Sequence, residues 1–194
     1  MNYAIDVLKD AIRRNEFAYK QALRERESIT KDVDTHLSAA ASVHDQILKI
    51  RTAISYLQSG LTAREDLDTC KEYMTSKLAA LNSEDFEIKR RMEAGDFDVV
   101  IRPGLYAELN VILLIVGALS GTANLNQDSV IQCNAYLYGE LKRLTEGHSR
   151  MVDSAISFGN MRDRHDEMIA EMIQRRQQVE ALIQLAQSVK GDAE

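Results

Sequence analysis

The sequence predicts an all-α fold, an elongated helical bundle or coiled coil in which two long amphipathic helices flank a middle of short helices. Three observations predict it. The 194 residues contain one proline, where average usage of about 5% would give roughly ten. Apolar residues recur in alternating steps of three and four along both ends of the chain. Between these ends lies one very apolar stretch, so we expect one structural domain with three segments.

The first segment, residues 1–61, is predicted to be a long coiled-coil helix. Alternating steps of three and four from Ile5 keep one heptad phase as far as Leu61, far beyond the three or four repeats that indicate a coiled coil. A hairpin bending near residues 28–31 is the alternative, but no Gly or Pro stands there, which favours one helix. The aliphatic seam positions expected to mediate oligomerisation are Ile5, Leu8, Ile12, Ile29, Val33, Val43, Ile47, Ile50, Ile54 and Leu57.

The second segment, residues 62–126, is predicted to be a compact helical middle. One helix should reach about Ala80 and another should restart at Asn82-Ser83. Pro103 is expected in the first turn of a very apolar helix that extends to Ser120. At about 1.5 Å per residue that helix falls short of the roughly 30 Å of a bilayer core. We therefore predict a buried helix at the centre of a bundle and no membrane span.

The third segment, residues 127–190, is predicted to be a second long amphipathic helix with the same heptad pattern. Glycines weaken it, and Gly147 is the expected position of a kink or break. Nothing in the chain repeats at a solenoid period.

Seven polar residues occupy seam positions, where they are expected to set register or to form an anion site. An antiparallel alignment that places Ile5 near Ile183 would bring Arg26 against Arg162, and two like charges need an acid or an anion between them. This motivates an alternative function, an oligomer that binds an anionic ligand such as a nucleotide between helices. The seven positions are Asn15, Arg26, His36, His148, Arg162, His165 and Arg176.

No metal or cofactor is expected from the histidines, because none of the four has a glutamate three residues before it, as in di-iron bundles. A second alternative comes from Glu84-x-x-Glu87 and Glu93-x-x-Asp96. This pattern resembles the paired acidic motifs of all-α nucleoside triphosphate pyrophosphohydrolases, and the resemblance implies magnesium-dependent hydrolysis. Only five residues separate the two pairs here, where that family has a loop and a second long helix.

Charge and cysteine content suit a cytoplasmic protein. The formal net charge is −6, and the sequence contains no basic patch. Neither DNA nor RNA is therefore an expected partner. Cys70 and Cys133 form no C-x-x-C pair, which favours a reducing compartment. The opening residues Met1–Lys9 contain no signal peptide pattern.

The function predicted from these features is a non-enzymatic assembly or interaction protein that forms homo-oligomers through helical surfaces and contacts another protein. The opening Met-Asn-Tyr-Ala-Ile-Asp-Val-Leu-Lys is similar to that of small helical proteins encoded by phages. That similarity implies two alternatives, a component of a virion or its assembly, located within the particle, and an inhibitor of a host protein.

Overall fold

The computed structural model describes residues 2–60, 63–96 and 98–191, and this part of the chain contains four helices and no strand. The helices are α1 (Asn2–Ser59), α2 (Arg64–Glu93), α3 (Leu105–Leu119) and α4 (Gln127–Gly191). The predicted all-α fold class is therefore confirmed.

Both ends of the chain form uninterrupted helices. α1 continues through residues 28–31, so this stretch is one helix and not a hairpin. α4 continues through Gly147, where we expected a kink or break. A glycine inside a helix costs about 1 kcal/mol relative to alanine. Buried Leu144 and Ala155 lie on either side of Gly147, and burial of apolar side chains outweighs a cost of this size.

Packing divides the chain into two units. The first unit consists of α1 as far as Ala40 together with α4 from Arg150 onward. The second unit is Ala41–Ser149, which contains the end of α1, all of α2 and α3, and the start of α4.

The second unit has an apolar core to which all four helices contribute. Ile50 of α1, Met74 of α2, Ile112 of α3 and Leu137 of α4 are completely buried in it. Burial stabilises the folded state by about 1.5–3 kcal/mol for each aliphatic side chain of this size. Cys70 lies in the same core, and burial raises the pKa of its thiol to about 11, so the thiol stays protonated and packs as a small apolar group.

α2 is one helix of 30 residues, so the predicted restart at Asn82-Ser83 was wrong. Both residues are exposed, and their lower helix propensity costs less than 1 kcal/mol each. The acids that suggested a new helix start have basic partners instead. Asp85 accepts a hydrogen bond from Lys89 at 2.6 Å, and Glu84 pairs with Arg102 at 3.3 Å.

α3 begins after Pro103, and the proline is not in its first turn as predicted. Gly104 precedes Leu105 with a φ of +83°, a left-handed conformation that glycine adopts without steric cost. The helix buries one face, which includes Ile112 and Ile115, while Leu113 is exposed. We expected this helix to be buried at the centre of a bundle. Instead, only one of its faces is buried. Among the described residues, no helix has the length and apolar content required to cross a membrane.

The turn after α3 folds back closely on the helix. The Gly117 carbonyl accepts hydrogen bonds from the backbone amides of Thr122 and Ala123 at 2.9 and 3.1 Å. A Cβ atom added to Gly117 would lie 2.8 Å from the Cβ of Ala123, well inside normal contact distance. This glycine is needed because of that close approach.

We predict that Gly117→Ala lowers the free energy of unfolding by up to about 2 kcal/mol. The clash with Ala123 costs about 1–3 kcal/mol, and the higher helix propensity of alanine returns about 1 kcal/mol. Urea unfolding followed by circular dichroism measures the change.

Gly139→Ala is the matched control, because Gly139 also lies inside a helix but nothing stands within 4 Å of an added Cβ. We expect this variant to be more stable by about 0.5–1 kcal/mol. Equal effects of the two substitutions would contradict the proposed clash.

Candidate functional site: the helix pair of the first unit and a polar cavity of the second

In the first unit, α1 and α4 run antiparallel, as three cross-helix contacts show. Glu16 pairs with Arg176 at 3.2 Å. Arg26 pairs with Asp166, with a second bond of 3.4 Å between its Nη2 and Oδ2 of Asp166. His36 stacks on Phe158, with ring centroids 5.4 Å apart.

These contacts correct the alignment assumed from the sequence. An Ile5–Ile183 register would place Arg26 opposite Arg162, but Arg26 bonds to Asp166, one helical turn further along α4. Arg162 pairs with its neighbour Asp163 at 3.1 Å. Each of the two guanidinium groups therefore has a carboxylate of the chain itself. The pair with Arg26 lowers the pKa of Asp166, and the same hydrogen bond raises the pKa of Arg26.

The remaining polar seam residues have varied surroundings. Arg176 also bonds to Glu180 at 2.7 Å, and Asn15 lines a cavity of about 330 Å³ beside Arg176. The Nδ1 atom of His165 is buried without a hydrogen-bond partner. In the second unit, His148 lies next to His44, with ring centroids 5.6 Å apart.

The aliphatic seam positions of α1 all face inward to some degree. Six of the ten named from the sequence are buried: Ile5, Ile29, Val33, Ile47, Ile50 and Ile54. The other four are half-buried: Leu8, Ile12, Val43 and Leu57.

On α4, the seam of the first unit is less well covered. Only Ala155 and Ile169 are buried among its seam residues, whereas Met172, Val179 and Ile183 are half-buried. Beside the seam, a column at seven-residue spacing contains Arg175 and three apolar residues, Met161, Met168 and Leu182, which are 43%, 37% and 52% exposed. Residues at this spacing lie along one side of a helix. We call these three residues the α4 flank.

The second unit contains a polar network that links α2, the segment before α3, α3 itself and α4. Arg102 bonds to Glu84 at 3.3 Å and to Glu108 at 2.7 Å. The Tyr136 hydroxyl donates to Glu108 at 3.0 Å and accepts from Lys77 at 3.4 Å. Lys77 in turn pairs with Glu140 at 3.1 Å.

Glu140 and Tyr136 are the most strongly affected groups of this network. Burial favours the neutral form of Glu140, whose side chain is only 12% exposed, but Arg143 and Lys77 more than offset this and lower the Glu140 pKa. Arg143 bonds to the same carboxylate oxygen at 2.8 Å. Burial, together with the charges of Glu140 and Glu108, raises the pKa of Tyr136, so its hydroxyl remains a hydrogen-bond donor.

The network borders a cavity of about 660 Å³. Its wall has an apolar part formed by Pro103, Ala107 and Val111. The remaining lining residues are Gly104, Tyr136 and the charged Lys77, Arg102, Glu108, Glu140 and Arg143. The ammonium of Lys77 lies 5.8 Å from the ring centroid of Tyr73 and 5.7 Å from that of Tyr136, within the range of cation–π attraction. The volume is within the range of small-ligand pockets.

Our reading of the sequence missed this cavity, although a signal for it exists. Tyr73 and Lys77 are four residues apart on α2, and Tyr136, Glu140 and Arg143 follow one another at steps of four and three on α4. Such residues share one helix face. Met74 and Leu137, which are neighbours of these residues on α2 and α4, are buried, so the polar faces of both helices lie beside the core.

The acidic motif that resembles a pyrophosphohydrolase site is divided among different basic partners. Glu84 pairs with Arg102, and Glu87 bonds to Arg90 at 2.8 and 2.9 Å. Asp96 bonds to Arg91 at 2.5 Å. In the described parts of the chain, no group of three or more His, Cys, Asp or Glu residues is arranged to hold a metal ion.

We predict that Glu140→Gln lowers the free energy of unfolding at pH 7 by about 1–3 kcal/mol, because Lys77 and Arg143 lose their shared carboxylate. The folded-state pKa of Glu140 is depressed, so its contribution is present above the unfolded pKa and is lost as the pH falls through the folded pKa. The difference from the wild type should therefore shrink from about pH 5 downward. Urea unfolding at pH 7, 5 and 4 measures it.

Glu146→Gln serves as the control, because Glu146 is an exposed residue on the same helix. We expect a change of no more than about 0.5 kcal/mol at each pH. A Glu140→Gln difference that stays constant with pH would contradict the assigned charge interaction.

Comparison with known proteins identified no relative. No protein-family model, no curated protein and no solved structure matches this chain.

Proposed function

We propose that this protein is a non-enzymatic assembly protein whose first unit pairs with the first unit of a second copy. The observation that supports this proposal is the incomplete cover of the α4 seam. When two helices pack together, each buries only one narrow apolar face against the other. On α4 the apolar surface is wider than that face, because it also includes the α4 flank and the half-buried seam residues. Apolar surface of this kind marks interaction sites.

The exposed area of the whole chain is large enough for an interface with a second copy. The chain has 13159 Å² of accessible surface, whereas folded monomers of 21.9 kDa expose roughly 9,300 Å². The excess of roughly 3,900 Å² exceeds the ~1,000–2,500 Å² per chain that obligate dimer interfaces bury. Two copies of the first unit would supply four helices with the same heptad period, which is the number that encloses a bundle core.

The charges on the pair are compatible with this arrangement. Arg26 and Arg176 are already bonded to Asp166 and Glu16, so a second copy would not have to neutralise either guanidinium. The α4 flank itself consists of two methionines and a leucine, and Arg175, which lies between Met168 and Leu182 in the same column, already bonds to Glu171 at 3.3 Å. Methionine adapts to irregular apolar partners because its side chain is flexible.

We predict that light scattering after size-exclusion chromatography gives a mass of at least twice 21.9 kDa, and that Met168→Glu/Leu182→Glu reduces it to the monomer mass. Both substitutions place a carboxylate where the apolar partner surface would lie, and burial of an unpaired charge is strongly unfavourable. The measurement should cover protein concentrations from about 1 to 100 µM, which span the micromolar affinities expected of weak dimers.

Met92→Glu/Leu113→Glu is the matched control, because it makes the same exchanges at exposed residues of the second unit. We expect this variant to keep the mass of the wild type. A wild-type monomer at every concentration would reject self-association and leave the surface to a different protein. Equal dissociation of both double variants would show that the α4 flank is not the interface.

A further inference from the structure

We propose that the polar cavity of the second unit binds a small zwitterion, a molecule with an ammonium group and a carboxylate joined by a short apolar chain. The cavity lies wholly within the second unit, since its lining residues fall between Lys77 and Arg143. This proposal is therefore independent of the oligomeric state.

The charges around the cavity fall into two groups of opposite sign. In the first group, the single guanidinium of Arg102 bonds to Glu108 of the lining and to Glu84, which is not among the lining residues, and the three together have a formal charge of −1. In the second group, the single carboxylate of Glu140 bonds to Lys77 and Arg143, which leaves a formal charge of +1. A ligand with one positive and one negative end matches both groups.

The cavity lining also contains uncharged residues, which suit the uncharged part of such a ligand. Tyr136 joins the two groups through its hydroxyl, which contacts both Glu108 and Lys77. Pro103, Ala107 and Val111 add apolar wall. Methylene groups of a ligand would therefore leave water for apolar surface, while its two charged ends stay paired.

Other ligand classes fit less well. A polyanion such as a nucleotide would meet the carboxylates of Glu108 and Glu140, which line the same cavity. A metal ion such as Mg²⁺ or Ca²⁺ would need at least six oxygen ligands, whereas the lining offers two carboxylates, both already bonded to basic side chains. A purely apolar ligand would remove water from the charged side chains of the cavity and offer them no hydrogen bond in return.

Isothermal titration calorimetry tests the proposal with 4-aminobutyrate and 6-aminohexanoate as zwitterions, and with hexanoate and hexylamine as ligands that carry one charge. We expect saturable binding of at least one zwitterion with a Kd below about 1 mM, and at least tenfold weaker binding of both single-charge compounds. The proposal would be overturned if neither zwitterion showed saturable binding up to about 10 mM. It would also be overturned if hexanoate or hexylamine bound as tightly as the zwitterions.

Variants locate the site. Glu108→Gln and Arg143→Gln should each weaken zwitterion binding at least tenfold, because each removes the charge that faces one end of the ligand. Ala107→Leu should have the same effect by filling the cavity while all charges remain, and it keeps the test valid if a charge variant unfolds. Glu87→Gln, which alters an exposed ion pair outside the cavity lining, should change the Kd less than twofold. Unchanged binding in Ala107→Leu would place the ligand elsewhere and overturn the assignment.

Discussion

The apolar contact among four buried side chains, Ile50, Met74, Ile112 and Leu137, is the interaction on which the second unit depends. Each side chain comes from a different helix, so truncation of any one of them would loosen the packing of all four helices. The short α3 is fixed against the longer helices by this core and by the close turn at Gly117. The polar network is positioned in consequence, because Tyr136 and Leu137 are neighbours on α4 and Lys77 follows Met74 on α2 by one turn.

The two units differ in how they balance apolar and polar contacts. In the second unit a closed apolar core supports an adjacent network of charges, and the low exposure of Glu140 strengthens its attraction to Lys77 and Arg143. In the first unit, ion pairs such as Arg26–Asp166 lie at exposed positions, where such pairs contribute little to stability. Burial of apolar seam residues therefore remains the main source of stability there, and the α4 side of that seam is left partly open.

Periodicity predicted the all-α class and the inward positions of α1 well, because heptad spacing depends only on the geometry of a single helix. It could not predict the antiparallel register, since the apolar spacing within each helix does not say whether Arg26 faces Arg162 or Asp166 of the other helix. It also suggested a break at Asn82-Ser83 from local capping preference, which is weaker than the packing of the surrounding helix. Prediction of the polar cavity would have required the relative positions of three helices. Its residues Glu108, Tyr136 and Lys77 are far apart in the sequence and share no motif.

The separation of Arg26 and Asp166 by 140 residues along the chain has a consequence for the order of folding. Closing a disordered loop of that length has an entropic cost, whereas contacts between α2 and α3 within residues 41–149 close much shorter loops. Once those residues have folded, the α1 and α4 segments of the first unit emerge from one compact body and no longer have to search for each other. We therefore expect the second unit to acquire amide protection first during refolding, which pulse-labelling hydrogen exchange would detect; earlier protection of residues 150–170 would contradict this order.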